Sequence, residues 1–231
     1  MTRIALVFTA HVPWRLRRYN YFDVGRHHDY FDREAHRRGI AALDAESLAP
    51  AAAALEAALD RHPRLAFALS FSGPLLQQLV LWAPPRVAAF RRLVETGRVE
   101  PLGQTSHRSL GWSPSPAELD LQVRAHCELL ERHLGRRPRV FGGEDAAAPA
   151  GLAASLEAQK FLGRFEVEAA TLRALEADAV GGGADRAAWL SESADEILPV
   201  RVDLATQRTS RTGVSPADLE RWLARVAARP G

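Results

Sequence analysis

Cysteine is nearly missing from this 231-residue chain: Cys127 stands alone. One thiol excludes an internal disulfide framework and a cysteine-rich zinc site, and its neighbours His126, Glu128, Leu129 and Leu130 read as a helix that packs it. Long hydrophobic runs are missing too. No stretch approaches the roughly 18 uninterrupted apolar residues of a membrane helix, and the first apolar run, Ile4 to Thr9, is too short for the core of a signal peptide. The expectation is a soluble cytoplasmic protein with no membrane partner. Lysine is as scarce as cysteine: Lys160 is the sole lysine among 30 basic residues, and the other 29 are arginines spread along an alanine-rich chain. The net charge is only +2, which gives no nucleic-acid footprint.

What is present is a core-forming composition, 47% hydrophobic and 25% charged. Short apolar runs alternate with longer amphipathic stretches, the pattern of an α/β fold. Strands are expected at Arg3 to Thr9, Leu65 to Phe71, Val99 to Gly103 and Arg139 to Phe141, with weaker ones at Phe165 to Val167 and Val200 to Asp203. A helix should run from Ser47 to His62 on the spacing of Leu48, Leu55 and Leu59. Ser115-Pro116-Ala117-Glu118 is a capping box that opens another, ending near Gly135. Ser215-Pro216-Ala217-Asp218 repeats the device before an apolar stripe of Leu219, Trp222, Leu223 and Val226. About six strands in one domain, residues 1–231, is most of an α/β barrel, since a complete eight-stranded one takes about 250 residues.

In such barrels ligands bind at the carboxyl ends of the strands. After the first strand come His11 and Trp14, then a loop holding all three tyrosines, Tyr19, Tyr21 and Tyr30. Aromatic faces with polar tips suit sugar rings, and they also pack loops. In the same loop His28, Asp32 and His36 lie four apart, so a helix there would align a possible divalent-metal set against the alternative of a solvated face. After the third strand Gln104, His107 and Trp112 lie in a polar loop, and after the fourth Gly142-Gly143 precede the carboxylates Glu144 and Asp145. Carboxylates there suit acid/base or nucleophilic work, or simply start a helix.

The run LVFTAHVPWRLRRYNYFDVG, then HHDYFD, FALSFSGPLLQQ, LVETGRVEPLGQTSHRSL and PRVFGGED, resembles the amino-terminal catalytic region of glycoside hydrolase family 57 from Ile4 to about Gly163. Gly182 to Arg186 resembles a further segment of that family. The resemblance implies a distorted seven-stranded (β/α) barrel, incomplete at its carboxyl end, acting with retention on α-glucan or malto-oligosaccharide. It implies no cofactor and no metal. His11 matches the histidine of the first motif, expected to touch sugar, while Val12 departs from the usual glutamine. Gln104 falls where amylase-like relatives carry glutamate, and Ser106-His107-Arg108 replaces an aromatic-and-histidine pattern. The nucleophile is implied at Asp145 by ungapped register, or at Glu144 one residue earlier as the residue type the chemistry uses. The family's general acid is expected past Gly231, leaving a glucan-binding pseudoenzyme as the alternative to an enzyme.

Overall fold

The computed structural model describes residues 4–26, 29–107, 115–142, 152–165 and 198–206. Six parallel strands form one sheet: β1 (Ile4–His11), β2 (Phe67–Phe71), β3 (Val99–Gly103), β4 (Val140–Gly142), β5 (Gly163–Phe165) and β6 (Leu198–Thr206), in the order β5-β4-β3-β2-β1-β6. The expected strands are all there, with ends displaced by up to three residues. In β1, Val7, Phe8, Thr9 and Ala10 are consecutive and all buried, as a strand covered on both faces requires.

Helices follow the strands. After β1 and its loop, α1 (Arg33–Leu43) passes through a π turn, Asp44–Leu48, into α2 (Ala49–Arg61). The sequence pattern placed only one helix here, starting at Ser47. Pro50 explains the interruption: it cannot donate, and its ring crowds the carbonyl of Glu46, so the backbone widens just before it and Ala49 N–H bonds to the Asp44 carbonyl. Arg86 braces the turn, its Nε 2.6 Å from Asp44 Oδ1.

β2 leads through Ser72, which caps with its hydroxyl at 3.4 Å from Leu75 N, into α3 (Gly73–Trp82), followed by α4 (Pro84–Glu95). β3 leads to α5 (Pro116–Leu134), where the expected cap is present: Ser115 Oγ accepts from Glu118 N–H. Gly135, in the left-handed region at φ 77°, ends it. α6 (Leu152–Ala158) lies between β4 and β5. The region expected to form a helix after Ser215 lies outside the described residues.

The larger core joins β1, β2 and β3 to α2, α3 and α4; Phe8 meets Phe67 edge-on at 5.1 Å, and Phe71 meets Phe90 at 4.6 Å. A smaller one places Leu119, Val123 and Cys127 of α5 against Phe141, Leu152 and Leu156. Burial pushes the Cys127 thiol up to about 11. Since the thiolate is the reactive form, an aromatic disulfide reagent at about pH 7.5 is expected to leave the native protein unlabelled and to label one thiol per chain in denaturant. Fast labelling of the native state would contradict this packing. Among the described residues no helix is long and apolar enough to cross a membrane.

Candidate active site at the carboxyl ends of the strands

Because all six strands run the same way, their carboxyl ends gather at one edge of the fold. His11 ends β1 and is half-buried; Gln104 follows β3 directly and is buried; His107, three residues on, is exposed. Trp112, Glu144 and Asp145 lie outside the described residues; β4, the strand before the two carboxylates, ends at Gly142. On the other side of β1, the pairing with β6 shifts between Thr9 and Ala10: Thr9 pairs with Asp203 and Ala10 with Ala205. Such a bulge bends the backbone near the functional edge.

The loop after β1 is a built structure. Arg17 N–H bonds to the Tyr30 carbonyl at 3.0 Å and Asp32 N–H to the Arg15 carbonyl at 3.2 Å, pairing its two limbs, while Asn20 and Asp23 cap each other across the short helical turn Tyr21–Asp23. Trp14 points back into the protein. Its indole N–H donates to Gln77 Oε1 at 3.2 Å, and its ring packs against Phe31, His36 and Trp82. It anchors the loop to α1 and α3. Tyr21 and Phe22 at the loop's tip remain 85% and 73% exposed.

The aligned metal set of the sequence reading is not formed by its described members. Asp32 is the N-cap of α1, accepting from Ala35 N–H at 2.9 Å. His36 is buried inside the loop's base, where Nε2 accepts the Arg15 N–H at 2.8 Å and stacks its ring on Trp82. Asp32 is thus held by the start of its own helix and His36 by Arg15 and Trp82, and His28 lies outside the described residues. Among these residues no three histidine, cysteine or acidic side chains cluster as metal ligands.

The polar centre of the edge lies between β2 and β3, and one member of it was not legible as functional. His126, on α5, is fully buried; its Nε2 donates to the Phe71 carbonyl at 2.8 Å and its Nδ1 accepts the Gln104 N–H at 3.2 Å. Gln104 also donates its amide to the Phe71 carbonyl, at 2.6 Å. Burial lowers the His126 pKa to about 4, partly offset by the Phe71 carbonyl, so the ring is neutral. The sequence signal was a histidine inside the apolar stripe of Leu119, Val123, Cys127 and Leu130. The turn that follows is pinned as well: Gly73 N–H bonds to the Ser106 carbonyl at 3.0 Å, Ser106 N–H to the Gln122 carbonyl at 3.2 Å, and His107 N–H to Gln122 Oε1 at 3.4 Å.

Residues 5–163, which carry nearly all of β1 and the whole of β2 to β4 with the contacts of His126 and Gln104, match the model of glycosyl hydrolase family 57. The chain belongs to that family. No curated protein matches it. Among solved structures it is similar to the 4-alpha-glucanotransferase of Thermococcus litoralis, with TM-score 0.55 and 14% identity over 100% of this chain and 30% of that one. A family 57 branching enzyme of Thermococcus kodakaraensis, solved with glucose, gives 0.52 and 14% over 92% and 50%. The family 57 chain thus spans half or less of the length of these two enzymes. It is also similar to a family 4 carbohydrate esterase of Streptomyces lividans, with TM-score 0.53 and 11% identity over 98% and 88%. At these identities the likeness is one of fold.

Proposed function

We propose that residues 1–231 form one barrel-type domain of α-glucan metabolism, acting in the cytoplasm as a retaining hydrolase or glucanotransferase on α-glucan or malto-oligosaccharide. The observation that carries this reading is the family 57 match across residues 5–163, with His11, Gln104 and His107 all at the carboxyl edge of one parallel sheet. His11, Trp14, Gln104, His107 and Trp112 are the proposed sugar contacts, and Glu144 or Asp145 is the proposed nucleophile. The packing of Trp14 against three rings limits it to an exposed edge of the indole.

A seventh strand between the sheet's two edges, β5 and β6, would close the ring. Closure matters for chemistry. In a flat sheet His11 and the end of β4 are three strands apart, about 14 Å, further than one sugar ring reaches. Curvature brings opposite strand ends toward a common centre. Aspartate is one methylene shorter than glutamate, so Asp145 would hold its oxygens about 1 Å back, a displacement that can cost about a hundredfold in rate. Glu144 meets the reach at the cost of a one-residue backbone adjustment.

The second reading is a glucan-binding relative without turnover, favoured by Gln104, an amide committed to the Phe71 carbonyl at a position where the resemblance implies glutamate. Calorimetric titration with a short malto-oligosaccharide separates the two. Sustained heat that disappears in Glu144→Gln or Asp145→Asn supports the enzyme, and saturable heat without turnover supports the binding protein. A trace with neither would overturn both.

A further inference from the structure

The pairing of β2 with β3 runs from Phe67 and Val99 to Leu69 and Pro101. Pro101 has no N–H to continue the ladder, and beyond it the two strands each extend for two more residues toward the site. Their outer neighbours still pair with them there, β1 with Ser70 and Phe71 and β4 with Leu102 and Gly103, but the seam between β2 and β3 is left without a ladder. The imidazole of His126 lies there, donating to the Phe71 carbonyl at the end of β2 and accepting from the Gln104 N–H just past the end of β3.

One helical turn earlier on the same face of α5, Gln122 accepts the N–H groups of Ser106 and His107, one with its carbonyl and one with its side chain. Three backbone donors of the turn Gln104 to His107 therefore end on two residues of α5 spaced four apart. At such spacing side chains share a helix face. Strand pairing ends at Gly103, where β3 still meets β4, and beyond it these bonds to α5, with that of Gly73 N–H to the Ser106 carbonyl, hold the turn.

We propose that His126 is a positioning residue: it fixes the Gln104 to His107 turn at the carboxyl edge and thereby the polar groups that this turn offers to sugar. The geometry assigns one tautomer. Since Gln104 N–H must donate, Nδ1 is bare, and the proton resides on Nε2, facing the Phe71 carbonyl. A carboxamide reproduces only half of this. Asparagine can place Oδ1 near Nδ1 to accept from Gln104, and glutamine can place Nε2 to donate to Phe71; phenylalanine fills the space and does neither.

The part concerning sugar rests on the proposed glucan reading, so two measurements on the full chain are needed. Amide hydrogen exchange is followed at Gln104 and, as a reference within the paired part of β2, at Leu69. In His126→Phe the exchange at Gln104 is expected to rise roughly tenfold more than at Leu69, with His126→Asn restoring most of the protection. If His126→Phe does not fold, His126→Leu serves, since it also lacks an acceptor for Gln104. Equal acceleration at both amides, or protection at Gln104 unchanged, overturns the positioning role. Titration with maltotriose should show affinity falling about tenfold in His126→Phe and recovering in His126→Asn. Raised exchange with unaltered affinity would overturn the link to sugar. Absence of maltotriose binding by the unaltered protein would overturn the glucan reading alone, and the exchange comparison would still decide the role of His126.

Discussion

Acidification from neutral pH to about 4 is expected to remove roughly 3 kcal/mol of stability through His126 alone. The group titrates at 6.5 in an unfolded chain and at about 4 in the fold, because burial opposes the charged ring. Above pH 6.5 both states hold it neutral, and it contributes no pH dependence. Between 6.5 and about 4 the unfolded chain binds the proton and the native state does not, so each step down in pH favours unfolding. Once protonated, the ring would also turn Nδ1–H toward the Gln104 N–H, two donors face to face in a buried site. Urea unfolding at several pH values, compared between the protein and His126→Phe, reads this component directly. The unaltered protein should lose stability more steeply over that interval, and parallel curves would show that His126 carries no such linkage.

How legible such a group is depends on what binds it. β3 and the start of α5 were readable because their determinants are local: a run of residues Val99 to Gly103, and a serine three residues before a glutamate. The π turn was not, because Pro50 allowed either a helix start or a widened turn, and Arg86, which braces the second at Asp44, lies 42 residues away. The same distinction separates the site residues. His11 and Gln104 stand at strand ends, and that placement follows from the strands themselves. The fates of His36, Trp14 and His126 are set by partners 21, 63 and 55 residues away in sequence, and no periodicity reports those. Spacing of four put His28, Asp32 and His36 on one hypothetical face; the helix in fact begins after Asp32, which turns that carboxylate into its cap. Composition marks the loop as aromatic but does not say which rings pack: Trp14 faces inward while Tyr21 and Phe22 face solvent.

Gly73→Ala is expected to destabilise the fold by about 1 to 3 kcal/mol and to disturb the edge without substituting any proposed sugar-contact residue. At an open helical position the change would instead stabilise, by about 0.4 to 1 kcal/mol, through the unfolded chain. Space decides the sign. A methyl on Gly73 would lie 2.4 Å from the Ser106 carbonyl oxygen and 2.6 Å from its hydroxyl, where ordinary contact begins near 3.4 Å. Ser106 has little freedom to retreat, since its carbonyl accepts from Gly73 N–H and its own N–H is held by the Gln122 carbonyl. Relief therefore requires the turn between β3 and α5 to move by about 1 Å relative to α3, on the scale that lowers rates about a hundredfold when reacting groups are misplaced. Chemical denaturation of Gly73→Ala, with and without Ser106→Gly, tests the cause. The carbonyl is the nearer obstacle and belongs to the backbone, so Ser106→Gly should rescue little. Full rescue would assign the conflict to the hydroxyl, and a stabilised single variant would show that the turn yields freely and that the contact between Gly73 and Ser106 does not fix the site.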